Sequence, residues 1–354
     1  MRSDPKKDDP RDLPPRKRTN LKDLAAYLGV SQTTISFVLN DAPLAKHLTE
    51  ETRRRVLDAA RKFNYRPSYF AVNLHKTSSD SVGILVPEHS EGYNTVVMEG
   101  IEGFLLKQDY LYFTACHYHK PHLLREYSDL LLKRGAEGLL VLNSNADFDT
   151  PLPVVTISGH LEKPGVTNVV LDHRAAARLA IRHLYDLGHR KIAFMKGPHS
   201  IGDSAFRWEA MMQVAREFGV PPTPERVVPL TERGRTPQIG YGPMRRLLNA
   251  TRDFTALVAF NDIAAIGAIR VLHESGISVP RDLSVIGFDD IISAPFQIPS
   301  LTTIRQPLQH MGKLAASILL ERITNPAAEY APAVLAKPAL IVRESTSQAS
   351  SGPP

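Results

Sequence analysis

Between residues 20 and 64 the apolar positions fall three times at helical spacing. In NLKDLAAYLGV, Leu21, Leu24, Ala25 and Leu28 share one face, Asn20 stands where an N-cap is wanted, and Gly29 breaks the run. After Val30, Ser31 caps a second short helix in VSQTTISFVLND. It turns Ile35, Val38 and Leu39 inward and leaves Gln32, Thr33, Ser36 and Phe37 outward. A third helix is predicted over 50–64, after a loop that holds Pro43. Beyond SSDS at 78–81 the pattern changes. Apolar runs of strand length (SVGILVP, YLYFTAC, EGLLVLN, PVVTIS, RKIAFMKG, TALVAFND, LSVIGFDD) alternate with amphipathic stretches that predict helices at 95–107, 122–134, 175–187, 206–218, 263–275 and 309–323. Strict alternation predicts an α/β body of doubly wound parallel sheet with right-handed crossovers.

The two ends lack this patterning. Residues 1–17 are rich in Pro, Asp and Lys and nearly free of apolar side chains, so a disordered basic arm is expected. The low-complexity TSQASSGPP after Ser345 is expected to be a disordered tail. At 354 residues and 43% hydrophobic content, two or three folded domains are expected between them. No apolar run approaches the roughly 18 residues of a membrane helix, and the first residues contain no apolar segment suited to secretion. A cytoplasmic protein is expected. One cysteine, Cys116, excludes an intrachain disulfide.

Charge locates the first function. Of 43 Lys and Arg and 37 Asp and Glu, 16 and 10 lie within the first 80 residues, so the remainder holds 27 of each sign and the whole excess of +6 is N-terminal. A basic segment joined to a neutral body is the footprint of a nucleic-acid-binding module, although a solvated charged face has the same composition. Two short helices joined at a glycine with a third behind them form a helix-turn-helix, whose second helix lies in the major groove. Gln32 and Thr33 suit base edges, glutamine pairing bidentately with adenine, and Phe37 suits a thymine methyl. Asn20, Ser31, Thr34, Ser36 and Asn40 suit phosphate oxygens, because small polar groups let a helix sit close to the backbone.

The stretch TNLKDLAAYLGVSQTTISFVLND, continued by TEETRRRVLDAARKFNYRPSYFAVNLH, resembles the N-terminus of LacI/GalR bacterial transcription regulators. The resemblance continues through DLGHRKIAF, FNDIAAIGAIRVLHESGISVPRDLSVIGFDD and PSLTTIRQPLQHMGKLAASILLERI, and spans 20–343. It implies a hinge helix at 67–75 that folds when two subunits meet on DNA, with Leu74 wedged into a minor-groove step; an apolar wedge unstacks a step and bends the site. It also implies a body of two lobes resembling periplasmic sugar-binding proteins, a homodimer, and a near-palindromic operator. The expected domains are an arm at 1–17, a helix-turn-helix head at 18–66, hinge helix and linker at 67–80, a two-lobe effector and dimerisation body at 81–345, and a tail at 346–354. Many family members carry Arg where this chain has Phe37, so a guanine-reading group is missing.

In doubly wound sheets ligands bind beyond the C-terminal strand ends. Ser90, Tyr93, Asn143, Ser158, Asn261 and Asp289 stand at or just past those ends, and Arg207 reaches the same region from the next helix. Arg207, Asn261 and Asp289 match effector-contacting positions of the resembled family. Each has a plainer alternative: Asn261 with Asp262 as helix caps, Asp289 or Asp290 as caps, Arg207 in a structural ion pair. Ser158 stands where many sugar-binding members have Asp, and Arg207 is equally able to hold a carboxylate. ACHYHKPH, with Cys116, His117, His119 and His122, matches no trusted zinc spacing, so no metal site is expected there, and no cofactor. No P-loop, dinucleotide, GxSxG or HExxH motif occurs. The reading is a dimeric repressor, not an enzyme, controlled by a sugar or related metabolite. A free small-molecule receptor and a sugar-processing α/β enzyme are the alternatives.

Overall fold

A computed structural model describes residues 19–40, 42–65, 78–88, 92–198, 201–230 and 236–349. The chain divides into two compact units, Met1–Ser79 and Asp80–Pro354. In the first, α1 (Leu21–Leu28), α2 (Gln32–Leu39) and α3 (Glu50–Lys62) pack on Leu24, Leu28, Ile35, Val38, Val56 and Ala59, the faces that the spacing predicts. Asn20 and Asp23 close a reciprocal capping box, each side-chain oxygen accepting the other's backbone N–H at 3.0 Å. Gly29 has φ 67°, a left-handed conformation that costs a side chain, and its N–H returns to the Ala25 carbonyl. That single residue turns the chain between α1 and α2. The loop before α3 winds into a short 3-10 turn, Pro43–His47. The predicted arm, the hinge segment 67–75 and Leu74 lie outside the described residues.

The second unit contains two six-stranded sheets. Its strands are β1 (Ser81–Val86), β2 (Leu111–Cys116), β3 (Leu139–Leu142), β4 (Val154–Ile157), β5 (Val166–Leu171), β6 (Ile192–Lys196), β7 (Val227–Pro229), β8 (Ala256–Val258), β9 (Ser284–Asp289), β10 (Thr302–Arg305), β11 (Ala333–Ala336) and β12 (Ala339–Ile341). The first sheet runs β11-β5-β4-β3-β1-β2 and is wholly parallel; the second runs β12-β10-β9-β8-β6-β7 and is parallel except for β12. β1, β5 and β9 are buried at every residue, as parallel strands covered on both faces must be. The covering helices are α4 (Tyr93–Leu105), α5 (Pro121–Lys133) and α10 (Leu308–Thr324) on the first lobe, and α6 (His173–Asp186), α7 (Gly202–Glu217), α8 (Gln238–Ala250) and α9 (Asp262–Glu274) on the second. The chain crosses between lobes three times: after β5, after β10, and between β11 and β12.

One expectation needs correction, and one helix was not expected. The tail does not become unstructured at Thr346. Ser345 is buried and donates its Oγ–H to the Val285 carbonyl at 2.6 Å, Thr346 Oγ1 lies 2.9 Å from His183 Nε2, and the Ala349 N–H reaches the Leu187 carbonyl at 2.8 Å. The hydroxyls that make the segment look low in complexity are what fasten it to the second lobe. Residues 350–354 lie outside the described set. Helix α8 was also unforeseen, because Gly240, Gly242 and Pro243 interrupt its pattern.

Glycines set the closest helix pair in each lobe. A Cβ on Gly100 of α4 would strike the Gln309 carbonyl oxygen of α10, and one on Gly312 of α10 would strike the Val97 carbonyl oxygen of α4. Backbone cannot yield as a flexible side chain does. Gly103, in the same helix as Gly100, faces open space. Gly103→Ala should therefore stabilise the protein by about 0.5–1 kcal/mol through helix propensity alone, whereas Gly100→Ala should destabilise it by about 1–3 kcal/mol through overpacking. Urea denaturation of both variants checks this, and stabilisation by Gly100→Ala would contradict the close approach.

Candidate functional site

On the helical head, the predicted polar residues divide by what they already hold. Ser31 caps α2, its Oγ accepting from the Thr34 N–H at 3.0 Å and lying 2.8 Å from Thr34 Oγ1. Asn40 donates through Nδ2 to Ser36 Oγ at 3.2 Å, and Asn20 caps α1. These five therefore shape the helix ends first. Gln32 and Thr33 are exposed in the first turn of α2 and make no side-chain hydrogen bond among the described residues, and Phe37 follows half-buried one turn on. Arg55 donates to the Leu28 carbonyl at 3.1 Å, which fixes α3 against the turn. In the run Arg53-Arg54-Arg55 it therefore has a structural task.

In the second unit the C-terminal strand ends of both lobes converge. From the first lobe, Tyr93 opens α4 and its hydroxyl lies 2.6 Å from Oγ of the fully buried Ser158, just past β4. From the second lobe, Arg207 on α7 is buried between aromatic rings, its guanidinium carbon 3.9 Å from the Phe288 centroid and 4.8 Å from that of Phe260. It donates to the Phe260 carbonyl at 2.8 Å and faces Asp203 at 3.6 Å and Asp289 at 4.0 Å. Burial raises the Tyr93 phenol, and Asp203 and Asp289 raise it further, so the charges of one lobe act directly on the hydroxyl of the other. Burial also raises Asp289, to about 6, although Arg207 and the 2.6 Å bond donated by Gln306 favour its ionised form.

Asn143 directly follows β3 with positive φ, and among the described residues no side-chain hydrogen bond joins it to this set. Asn261 caps α9, accepting from the Ala264 N–H at 2.9 Å, so the plainer alternative describes its present bond. Asp262 accepts from Thr303 and from the Ile291 N–H, and Asp290 binds Arg305 and Arg343. Both carboxylates fasten the second lobe. Ser90 lies outside the described residues.

Four residues of the cleft were missed at the sequence level. Asp203, in the first turn of α7, accepts from His160 Nε2 at 2.6 Å across the lobes. His160 stacks on Phe206 at 3.9 Å between centroids. His173, first residue of α6, is buried 3.2 Å from the same Asp203 oxygen. Gln306 follows β10. His160 stands in ISGH directly after a predicted strand, a position equivalent to Ser158, and would have been found by extending the strand-end argument two residues. A cavity of about 260 Å³ adjoins Gly202 at the ends of β2 and β3, lined by His117, His119, Lys120, Asn145 and Asp147 among others. Burial lowers His117 to about 4, with His119 adding to it.

The sequence comparisons bear on both units. Residues 20–68 match the profile of bacterial regulatory proteins, lacI family, and 181–346 match that of a periplasmic binding protein-like domain. The HTH-type transcriptional repressor PurR of Haemophilus influenzae is 33% identical over 314 residues, covering 86% of this chain and 91% of the relative. The chain belongs to the LacI family. PurR of Mannheimia succiniciproducens is 32% identical over 334 residues, 92% of this chain and 98% of its own. The lac repressor dimer bound to operator and the anti-inducer ONPF superposes with TM-score 0.79 at 25% identity, covering 94% of this chain and all of that one. The CelR–cellobiose complex gives TM-score 0.69 at 27% identity over 93% of this chain and all of that one. This LacI-family chain is thus a DNA-binding transcriptional repressor with an effector-binding domain, not an enzyme. No described helix is long and apolar enough to cross a membrane.

The position of Asp289 has a consequence for stability. Its folded carboxyl, near 6, holds a proton more tightly than the ordinary value of 3.8. Its contribution is therefore complete below about pH 4 and is lost as the pH rises through 6. Relative to Asp289→Asn, the wild type should lose up to about 1.4 kcal/mol of unfolding free energy per pH unit across that window. Paired denaturation curves at pH 4 to 7 measure the difference. A difference independent of pH would mean that this carboxyl is ionised throughout.

Proposed function

We propose that this repressor senses a neutral polyhydroxylated molecule, a sugar, between its two lobes, and that binding releases the operator. The observation that carries the proposal is the charge balance of the cleft: the one buried guanidinium of the described site, Arg207, already stands between Asp203 and Asp289. An anionic effector would meet two carboxylates, which argues against the carboxylate alternative for Arg207. A hydroxyl-bearing ligand accepts from Arg207 and donates to Asp289, with Tyr93 and Ser158 able to do either. Asn143, Asn261 and Ser90 belong to the same proposed contact set by their strand-end positions. The CelR complex holds cellobiose, and a LacI-family regulator from Enterococcus faecium, 27% identical with TM-score 0.67, holds ribose, which supports the same class.

For the head, Gln32, Thr33 and Phe37 are the proposed base readers and Leu74 the minor-groove wedge, with Asn20, Ser31, Thr34, Ser36 and Asn40 against phosphates. The operator is a near-palindrome read by a homodimer in the cytoplasm, where the chromosome lies. Two exposed apolar surfaces on the second unit support the dimer: Leu111, Tyr112 and Phe113 on the edge strand β2, and Ile292, Phe296 and Ile298 after β9.

Operator affinity measured with and without a panel of neutral sugars and sugar acids, for wild type and Arg207→Ala, tests the proposal. A neutral sugar should weaken wild-type binding by roughly 5- to 150-fold, the range of ordinary allosteric coupling. Arg207→Ala should retain effector-free operator binding and lose the response. A response confined to the acids would overturn the assigned effector class; tightening by a neutral sugar would overturn only the direction.

A further inference from the structure

Asp203, His160 and His173 form a cluster whose composition goes beyond what a hydroxyl-binding cleft requires. His160 comes from the first lobe, three residues after β4, while His173 and Asp203 open α6 and α7 of the second. One donor atom of each lies within 4.8 Å of the others. His160 Nε2 and His173 Nε2 approach the same carboxylate oxygen, at 2.6 and 3.2 Å. The longer contact is outside hydrogen-bond geometry, so neither ring nitrogen of the buried His173 is satisfied. Asp203 Oδ2 is likewise buried without a hydrogen bond, 3.6 Å from Arg207. Buried imidazole and carboxylate atoms left without partners cost free energy unless something completes them.

We propose that His160, His173 and Asp203 bind a first-row divalent transition-metal ion, of which Zn²⁺ and Co²⁺ are representative. Two imidazoles and one carboxylate are a borderline-soft set of three protein ligands, which leaves coordination positions open for water. Around an ion bonded at about 2.0–2.2 Å, donors stand roughly 3–3.5 Å apart. His173 and Asp203 already stand at that spacing, at 3.2 Å; His160 and Asp203 would part by a few tenths of an ångström and the two imidazoles would close in. Because one ligand comes from the first lobe and two from the second, the ion ties the lobes together. Asp203 is shared with the charge balance on which the proposed effector class rests, but the ion is tested on effector-free protein, so the two readings fail separately; the site is distinct from the Cys116–His122 segment.

Co²⁺ added to the untagged, effector-free protein tests the assignment, since protein-bound Co²⁺ reports its ligands by visible d–d absorption. One equivalent should bind with that absorption. His160→Ala and Asp203→Asn should lose affinity by more than the roughly 10- to 100-fold that removing an outer-shell partner costs, while His119→Ala should match wild type. His160→Cys should again bind one equivalent and add a thiolate-to-cobalt charge-transfer band that the wild type and His160→Ala, both of which keep Cys116, do not show. Absence of d–d absorption in the wild type would overturn the proposal. So would its persistence in His160→Ala, its loss in His119→Ala, or a His160→Cys protein without the thiolate band.

Discussion

A guanidinium taken out of water must be matched by charge and hydrogen-bond acceptors, and the effector domain is arranged around that requirement at Arg207. Burial of an unmatched charge would cost several kcal/mol. Here the match is spread over two strand ends and one helix start: the Phe260 carbonyl after β8, Asp289 at the end of β9, and Asp203 in the first turn of α7. A helix N-terminus is a favourable place for a carboxylate. Burial alone would raise the Asp203 carboxyl; His160 and His173, with Arg207, instead hold it well below the usual carboxylate range. The same carboxylate that neutralises Arg207 thereby holds His160 of the opposite lobe.

That double role connects packing to regulation. The lobes are joined covalently at three crossings and meet in the cleft through the His160–Asp203 bond and the His160–Phe206 stack. Each lobe has its own core, so a change at the cleft moves a lobe as a body more easily than it deforms one. The chain enters the first lobe at β1 directly from the segment that follows the DNA-binding unit. In the proposed account, a ligand that alters how the lobes meet alters how the two entering segments of a dimer are presented.

Much of this organisation was legible in the sequence because it rests on local periodicity. The three helices of the head read correctly from Leu24, Leu28, Ile35 and Val38, which are buried as their spacing requires. Seven of the strands read as apolar runs for the same reason. What escaped lacks a local signature. β5 is interrupted by Thr167 and Asn168, whose polar side chains are satisfied at a distance, Thr156 donating to Asn168 at 2.6 Å and Thr167 Oγ1 donating to the Ala331 carbonyl. Helix α8 is masked by glycines that serve its contact with α9. The cleft was half visible: Arg207, Asp289, Tyr93 and Ser158 come together, while His160, His173 and Asp203 are separated by 13 and 30 residues and meet only through the crossing after β5. Thr346 and Ser347 misled for the opposite reason, being polar residues that look solvated and are fastened.

The central claim is one coupling free energy between the cleft and the operator, and linkage makes it measurable from the other side. Effector affinity should be determined by calorimetry for the free dimer and for the dimer saturated with operator. The account predicts weaker effector binding on the operator, by the same factor with which effector weakens operator binding. Equal effector affinity in the two states would contradict it, because a ligand that does not distinguish them cannot shift their balance.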